Sequence, residues 1–101
     1  MHTMLVLNVA PELEEELVDC LLELPEVEGF SSYHVYGHGS GGLNTLAEQV
    51  RGRRKRMQVE MIVACEAVPR ILAQVKTQVG GDGVYWEQLV HNRGRLGTPG
   101  D

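Results

Sequence analysis

The residues of this chain most suited to chemistry are glycines and arginines. Gly37-His38-Gly39 follows directly on FSSYHVY, residues 30–36. Glycines on either side of a histidine free backbone N–H groups and let a ligand approach the main chain closely. The same three residues equally suit the opening of a flexible loop. Further on, five of the nine Lys and Arg residues crowd into 51–56: Arg51, Arg53, Arg54, Lys55 and Arg56. A run of this kind is either a solvated patch or an anion site, because guanidinium groups offer a fork of donors that fits phosphate or carboxylate. Arg53 and Lys55 are its candidate ligand-binding members. Arg93 and Arg95 form a second basic pair, two apart, which would point the same way from an extended segment. Gly80-Gly81-Asp82-Gly83 is a tight glycine turn and, on its own, a connector.

Metal chemistry has candidates as well. The chain holds four histidines (His2, His34, His38, His91) and two cysteines (Cys20, Cys65), with no CxxC or HxH spacing. A preformed structural zinc site is therefore not expected, and His38 is the best single ligand because it lies among the glycines. A solvent-exposed histidine is the simpler reading of it. No nucleophile elbow, P-loop lysine motif or pair of carboxylates in a cleft is present, so no enzymatic activity is expected.

At 101 residues the chain fits one domain. The net charge of −5 argues against a general nucleic-acid binder, and no aromatic interleaves the basic run. The charge is unevenly spread: eight of the fourteen acids lie between Glu12 and Glu28. One copy's basic run could thus meet another's acidic face, or hold an anion locally. Two cysteines without a disulfide framework fit a cytoplasmic protein with reduced thiols. MHTMLVLNVA lacks the basic start of a leader, and no stretch approaches the roughly 20 apolar residues that span a bilayer.

These residues need elements to position them. Met4–Val9 is an apolar run bounded by Pro11 and reads as a buried strand. Pro11 suits a first helical turn, and Leu13, Leu17, Cys20, Leu21 and Leu24 fall on one face of a helix that Pro25 ends. Residues 30–36 read as a second strand, with Phe30, Ser32, His34 and Tyr36 on one side and Ser31, Tyr33 and Val35 on the other. A long mobile loop follows, with a short helical turn over 43–50. Residues 54–65 alternate, placing Met57, Val59, Met61, Val63 and Cys65 on one side. Glu66 opens a second helix with the stripe Val68, Ile71, Leu72, Val75 and Val79, closed by Gly80-Gly81. Residues 84–91 form the last strand, before a Gly/Pro-rich tail. The βαββαβ order predicts an α+β, ferredoxin-like fold: a four-stranded antiparallel sheet with two helices on one face. The domain covers 1–92, with the loop segment 37–56 inside it and a flexible tail over 93–101. Apolar groups on both sides of the second and third strands predict that the other face is covered, hence an oligomer.

Taken together, Tyr36-Gly37-His38-Gly39, the re-entry GRRKRMQVEMIV (52–63), the turn GGDGVYW (80–86) and Arg93-x-Arg95 resemble the PII-like signalling proteins. SSYHVYGHGS and LAEQVRGRRKRMQVEM look most like a group of small bacterial PII-like proteins often encoded beside heavy-metal efflux pumps. The resemblance covers nearly the whole chain. It implies a trimer whose ligands sit in clefts between subunits, and a T-loop over 37–56 that engages a target such as a membrane transporter. It also implies that Gly37 and Gly39 form the loop base, that Gly81, Asp82 and Gly83 form a phosphate-holding turn, and that Arg93 and Arg95 form the late arginine pair. Val84 stands where such proteins place a phosphate-binding lysine. The implied effector is accordingly a smaller nucleotide, another anion or a metal ion, with an adenine nucleotide or a divalent metal as the leading alternatives. The expected function is a non-enzymatic regulator. The alternative is a CutA-like divalent-metal-binding protein of heavy-metal tolerance, with His38 as ligand.

Overall fold

Strand β1, His2–Val9, lies inside the sheet and alternates. Its odd-numbered residues Thr3, Leu5, Leu7 and Val9 are buried. The computed structural model describes residues 1–39 and 53–97, with Arg53 described by its backbone alone. Among them β1 is followed by a 3-10 turn (Pro11–Leu13), helix α1 (Glu14–Leu22), strand β2 (Ser31–His38) and strand β3 (Arg53–Ala64). A second 3-10 turn (Cys65–Ala67), helix α2 (Val68–Gln78) and strand β4 (Gly83–Leu89) complete the order. The strands form one antiparallel sheet in the order β2-β3-β1-β4. This is the ferredoxin-like α+β arrangement that the order of elements predicts.

The core forms between the helices and one sheet face. Leu5, Leu7 and Val9 of β1 and Met57, Val59, Met61 and Val63 of β3 meet Leu17, Cys20 and Leu21 of α1 and Val68, Ile71 and Val75 of α2. The apolar stripes read at helical spacing supply these contacts, with Leu13, Leu72 and Val79 partly buried at the margin. Both helices start through a 3-10 turn. Each turn follows an alanine in extended conformation (Ala10, Ala64) that makes no side-chain cap. With no Ser, Thr, Asp or Asn to accept from the first N–H groups, the chain tightens to i→i+3 bonds instead. Cys65 therefore begins a turn rather than ending the strand, and its N–H donates to the Met1 carbonyl at 3.0 Å. Helix α1 ends at Leu22, short of Pro25. Leu24 and Val27 continue in hydrogen-bonded turns (Leu24 N–H to Leu21 O, 3.2 Å; Val27 N–H to Leu24 O, 3.1 Å), which keeps Leu24 in the core.

The opposite face carries His2, Met4, Val6 and Asn8 of β1, with Gln58, Glu60 and Ile62 of β3, Tyr33 and Val35 of β2, and Val84 and Trp86 of β4 beside them in the register. Neither helix covers it. Tyr33, Ile62 and Trp86 are 41%, 43% and 38% exposed on it. The helical turn expected over 43–50, Arg51 and the tail from 98 onward lie outside the described residues.

Candidate functional site

Strands β2 and β3 run past the rest of the sheet as a two-stranded arm. The last rung shared with β1 is Val9–Met57, whereas β2 and β3 continue through Val35–Arg56, Tyr36–Lys55 and Gly37–Arg54 to His38–Arg53. Gly37 and His38 are therefore strand residues, two beyond the end expected from the aromatic run. Alternation sorts the arm into two faces. Tyr36, His38 and Lys55 share the helix side; Gly37, Arg54 and Arg56 share the open side. A Cβ on Gly37 would sit 3.4 Å from Arg56 Cγ and 3.9 Å from Arg54 Cγ, ordinary contact distances, so the stems of both arginines lie alongside the strand here. Gly39 follows the arm at its exposed end. His34 and His38 are four apart, a spacing that converges on a helix. On a strand it leaves them about 13 Å apart at 3.3 Å per residue. His34 instead pairs with Glu14, Nε2 to Oε1 at 3.0 Å, tying the edge strand to the start of α1. Among the described residues, no group of three or more His, Cys, Asp or Glu side chains is placed to hold a metal.

The glycine turn lies at the same end of the sheet but on its far edge. Gly83 pairs with Val9, and β4 is three strands from β2, about 14 Å at 4.8 Å per strand. Gly80, Gly81, Asp82 and Gly83 are all exposed. Gly80 closes α2, its N–H donating to Val75 O at 3.0 Å.

Arg93 and Arg95 are at the other end of the molecule. β4 runs antiparallel to β1, so its last rung is Leu89–Thr3, and the chain leaves beside the N-terminus. Arg93 NH1 donates to His2 Nε2 at 3.2 Å. It lines an open cleft of about 610 Å³ together with Met4, Glu28, Ser31, Glu60 and Ile62. From His2 to Val9 the sheet spans about 23 Å. Within one chain the candidate residues thus form three groups, and the arginine pair is separated from the glycines by the length of β1.

Between these ends a polar row crosses the open face. Arg56 Nε donates to Asn8 Oδ1 at 2.8 Å and its NH2 to Asn8 O at 3.2 Å. Asn8 Nδ2 donates to Gln58 Oε1 at 3.0 Å, and Gln58 Nε2 donates to the Tyr33 hydroxyl at 2.9 Å. Tyr33 in turn donates to Glu60. Sequence reading missed this row; its one signal was Asn8, a lone amide in an apolar strand. The Glu60 carboxylate holds the Tyr33 phenol above its ordinary value of 10.0, because the neutral phenol donates and the phenolate cannot. A raised folded value means that this contact stabilises the fold fully below about pH 10 and is lost as pH rises through the folded value. Ultraviolet titration should show Tyr33 ionising above an ordinary tyrosine in the native protein, and Glu60→Gln should bring it back toward 10; an unchanged curve would break the Tyr33–Glu60 assignment.

Cys20 shows the contrary case, a thiol without chemistry. Burial in the core, with a smaller contribution from Glu23, pushes it up and keeps it protonated.

A sequence profile described as "Protein of unknown function (DUF3240)" matches residues 1–97. The chain belongs to the DUF3240 family. Among solved structures, the chain is similar to the crystal structure of a DUF3240 family protein from Shewanella baltica OS155. Identity is 21%, the match covers 94% of this chain and 96% of that one, and the TM-score is 0.78. That likeness supports the fold. No curated protein matches. Among the described residues, no helix is long and apolar enough to cross a membrane.

Proposed function

We propose that this DUF3240 chain is a non-enzymatic, PII-like regulator. It assembles as a homotrimer, binds a small effector in clefts between subunits, and controls a partner protein, a membrane transporter or metal efflux pump, through the 37–56 segment. The observation that carries this reading is the separation of the candidate residues. Gly81, Asp82 and Gly83 lie beside the Val9 end of β1, whereas Arg93 is hydrogen-bonded to His2 at the other end. A single chain cannot close them on one ligand; a second copy, docked on the uncovered sheet face, can bring its arginine pair to the first copy's glycine turn. The arm carries Gly37, His38, Arg53 and Lys55 to the glycine end, where a loop contact with both effector and partner is geometrically open.

Order and disorder of a loop biased by a ligand would supply the regulatory step. Isothermal titration of the purified protein with adenine nucleotides, bicarbonate and divalent metals tests it. One of these is expected to bind saturably, and Arg93→Ala to weaken that binding by about tenfold, the loss of one charge-assisted contact. Absence of heat with every member of the set sinks the effector.

A further inference from the structure

A cavity of about 270 Å³ opens on the helix side of the sheet, between α2 and the exposed strand β4. Leu7, Leu72, Val75 and Tyr85 form its apolar walls, and the glycine turn closes one end. Its charged lining residues are Lys76 and Asp82, both exposed and opposite in sign. The turn follows the C-terminal end of α2, where the helix dipole is negative, and Lys76 is placed to complement that dipole. An anion gains little net attraction here.

Gly81 adds an independent observation. Gly80 and Gly83 adopt φ of +121° and +153°, so their own backbone calls for glycine. Gly81 does not share that conformation, and a Cβ there would meet nothing within 4 Å. Gly81 lines the cavity, so a side chain introduced there would take up open space at its rim without strain or a clash inside the chain.

We infer that this cavity binds a small, uncharged, ring-containing molecule, its ring against Leu72, Val75 and Tyr85 and its edge over Gly81. The volume lies just under the range of about 300–1,000 Å³ typical of drug-sized ligands, which favours a small occupant. The site shares the glycine turn with the regulator reading but goes beyond it: it lies within one chain and takes a neutral ligand where that reading expects a nucleotide, anion or metal.

Two probes that differ by one charge test it on the full chain: N-phenyl-1-naphthylamine, which is neutral, and 8-anilinonaphthalene-1-sulfonate. Fluorescence titration should give one site per chain for the neutral probe, at least about fivefold tighter than the sulfonate, since the rim offers no net positive charge. Amide shifts at Gly80–Gly83 and Tyr85 should move on binding. Gly81→Val, exposed and unstrained, should leave the melting temperature unchanged and weaken the neutral probe about tenfold; Lys76→Ala should leave it unchanged. Failure of the neutral probe to bind, indifference to Gly81→Val, or tighter sulfonate binding that depends on Lys76 overturns the site. The two readings fail separately. Probe binding at Gly81 with calorimetric silence toward nucleotides, bicarbonate and metals keeps the cavity and removes the regulator's effector. An effector that binds while the neutral probe does not keeps the regulator and removes the cavity.

Discussion

Gly83→Ala should destabilise the fold by about 2–4 kcal/mol, combining the strain of a left-handed φ with the cost of overpacking. Gly83 opens β4 at φ +153°, and a Cβ built there falls 2.8 Å from Asn8 O and 3.0 Å from Val9 Cγ1. The nearer atom is backbone within the central strand β1, so it cannot swing aside as a side-chain tip would. Relief requires β4 to move away from β1, which breaks the Gly83–Val9 rung and disturbs the neighbouring rungs. For a domain of this size the loss corresponds to a melting temperature lowered by about 10–25 °C. Thermal denaturation followed by circular dichroism measures it. Gly81→Ala, two residues earlier with open space around it, is the matched control and should change stability by less than about 0.5 kcal/mol. Equal melting temperatures for the two variants would mean that the close approach of β4 to β1 is not as described.

Trp86→Glu should convert the proposed trimer to a monomer. Trp86 lies on the uncovered sheet face beside Val6, with Ile62 and Tyr33 on the same face. A carboxylate forced into a desolvated subunit contact without a partner costs about 2–5 kcal/mol, enough to weaken association by about 30-fold or more. Trp86 is 38% exposed in the isolated chain and outside the helix-side core, so the monomer should keep its native circular dichroism. Sedimentation equilibrium should report a mass near 11.2 kDa for the variant and three times that for the wild type. A wild type that sediments as a monomer removes the trimer, and a variant that still sediments as a trimer moves the interface off this face.

The elements and the core were legible in the sequence because local periodicity carries them. Leu17, Cys20 and Leu21 recur at helical spacing, Met57, Val59, Met61 and Val63 alternate, and all seven are buried in one cluster. Element ends were less legible. Gly37 and His38 have no intrinsic preference for a strand; they are strand because Arg54 and Arg53 lie opposite them, a pairing set by residues some sixteen positions away. The 3-10 openings of both helices follow from caps that Ala10 and Ala64 cannot provide.

By itself the sequence determined the βαββαβ order and which residues of the second and third strands share a face, since periods of 3.6 and 2 specify which side chains lie together. Only the tertiary structure decided how those faces meet. Antiparallel β4 carries the chain back to the N-terminal end of β1, so Arg93 meets His2 and stays remote from the glycine turn. Strand register likewise assembles Arg56, Asn8, Gln58, Tyr33 and Glu60 into one polar row from three separate segments. Both depend on long-range pairing, in which a one-residue slip would turn every side chain to the other face. Composition and local spacing do not encode that register, and the placement of every candidate residue follows from it.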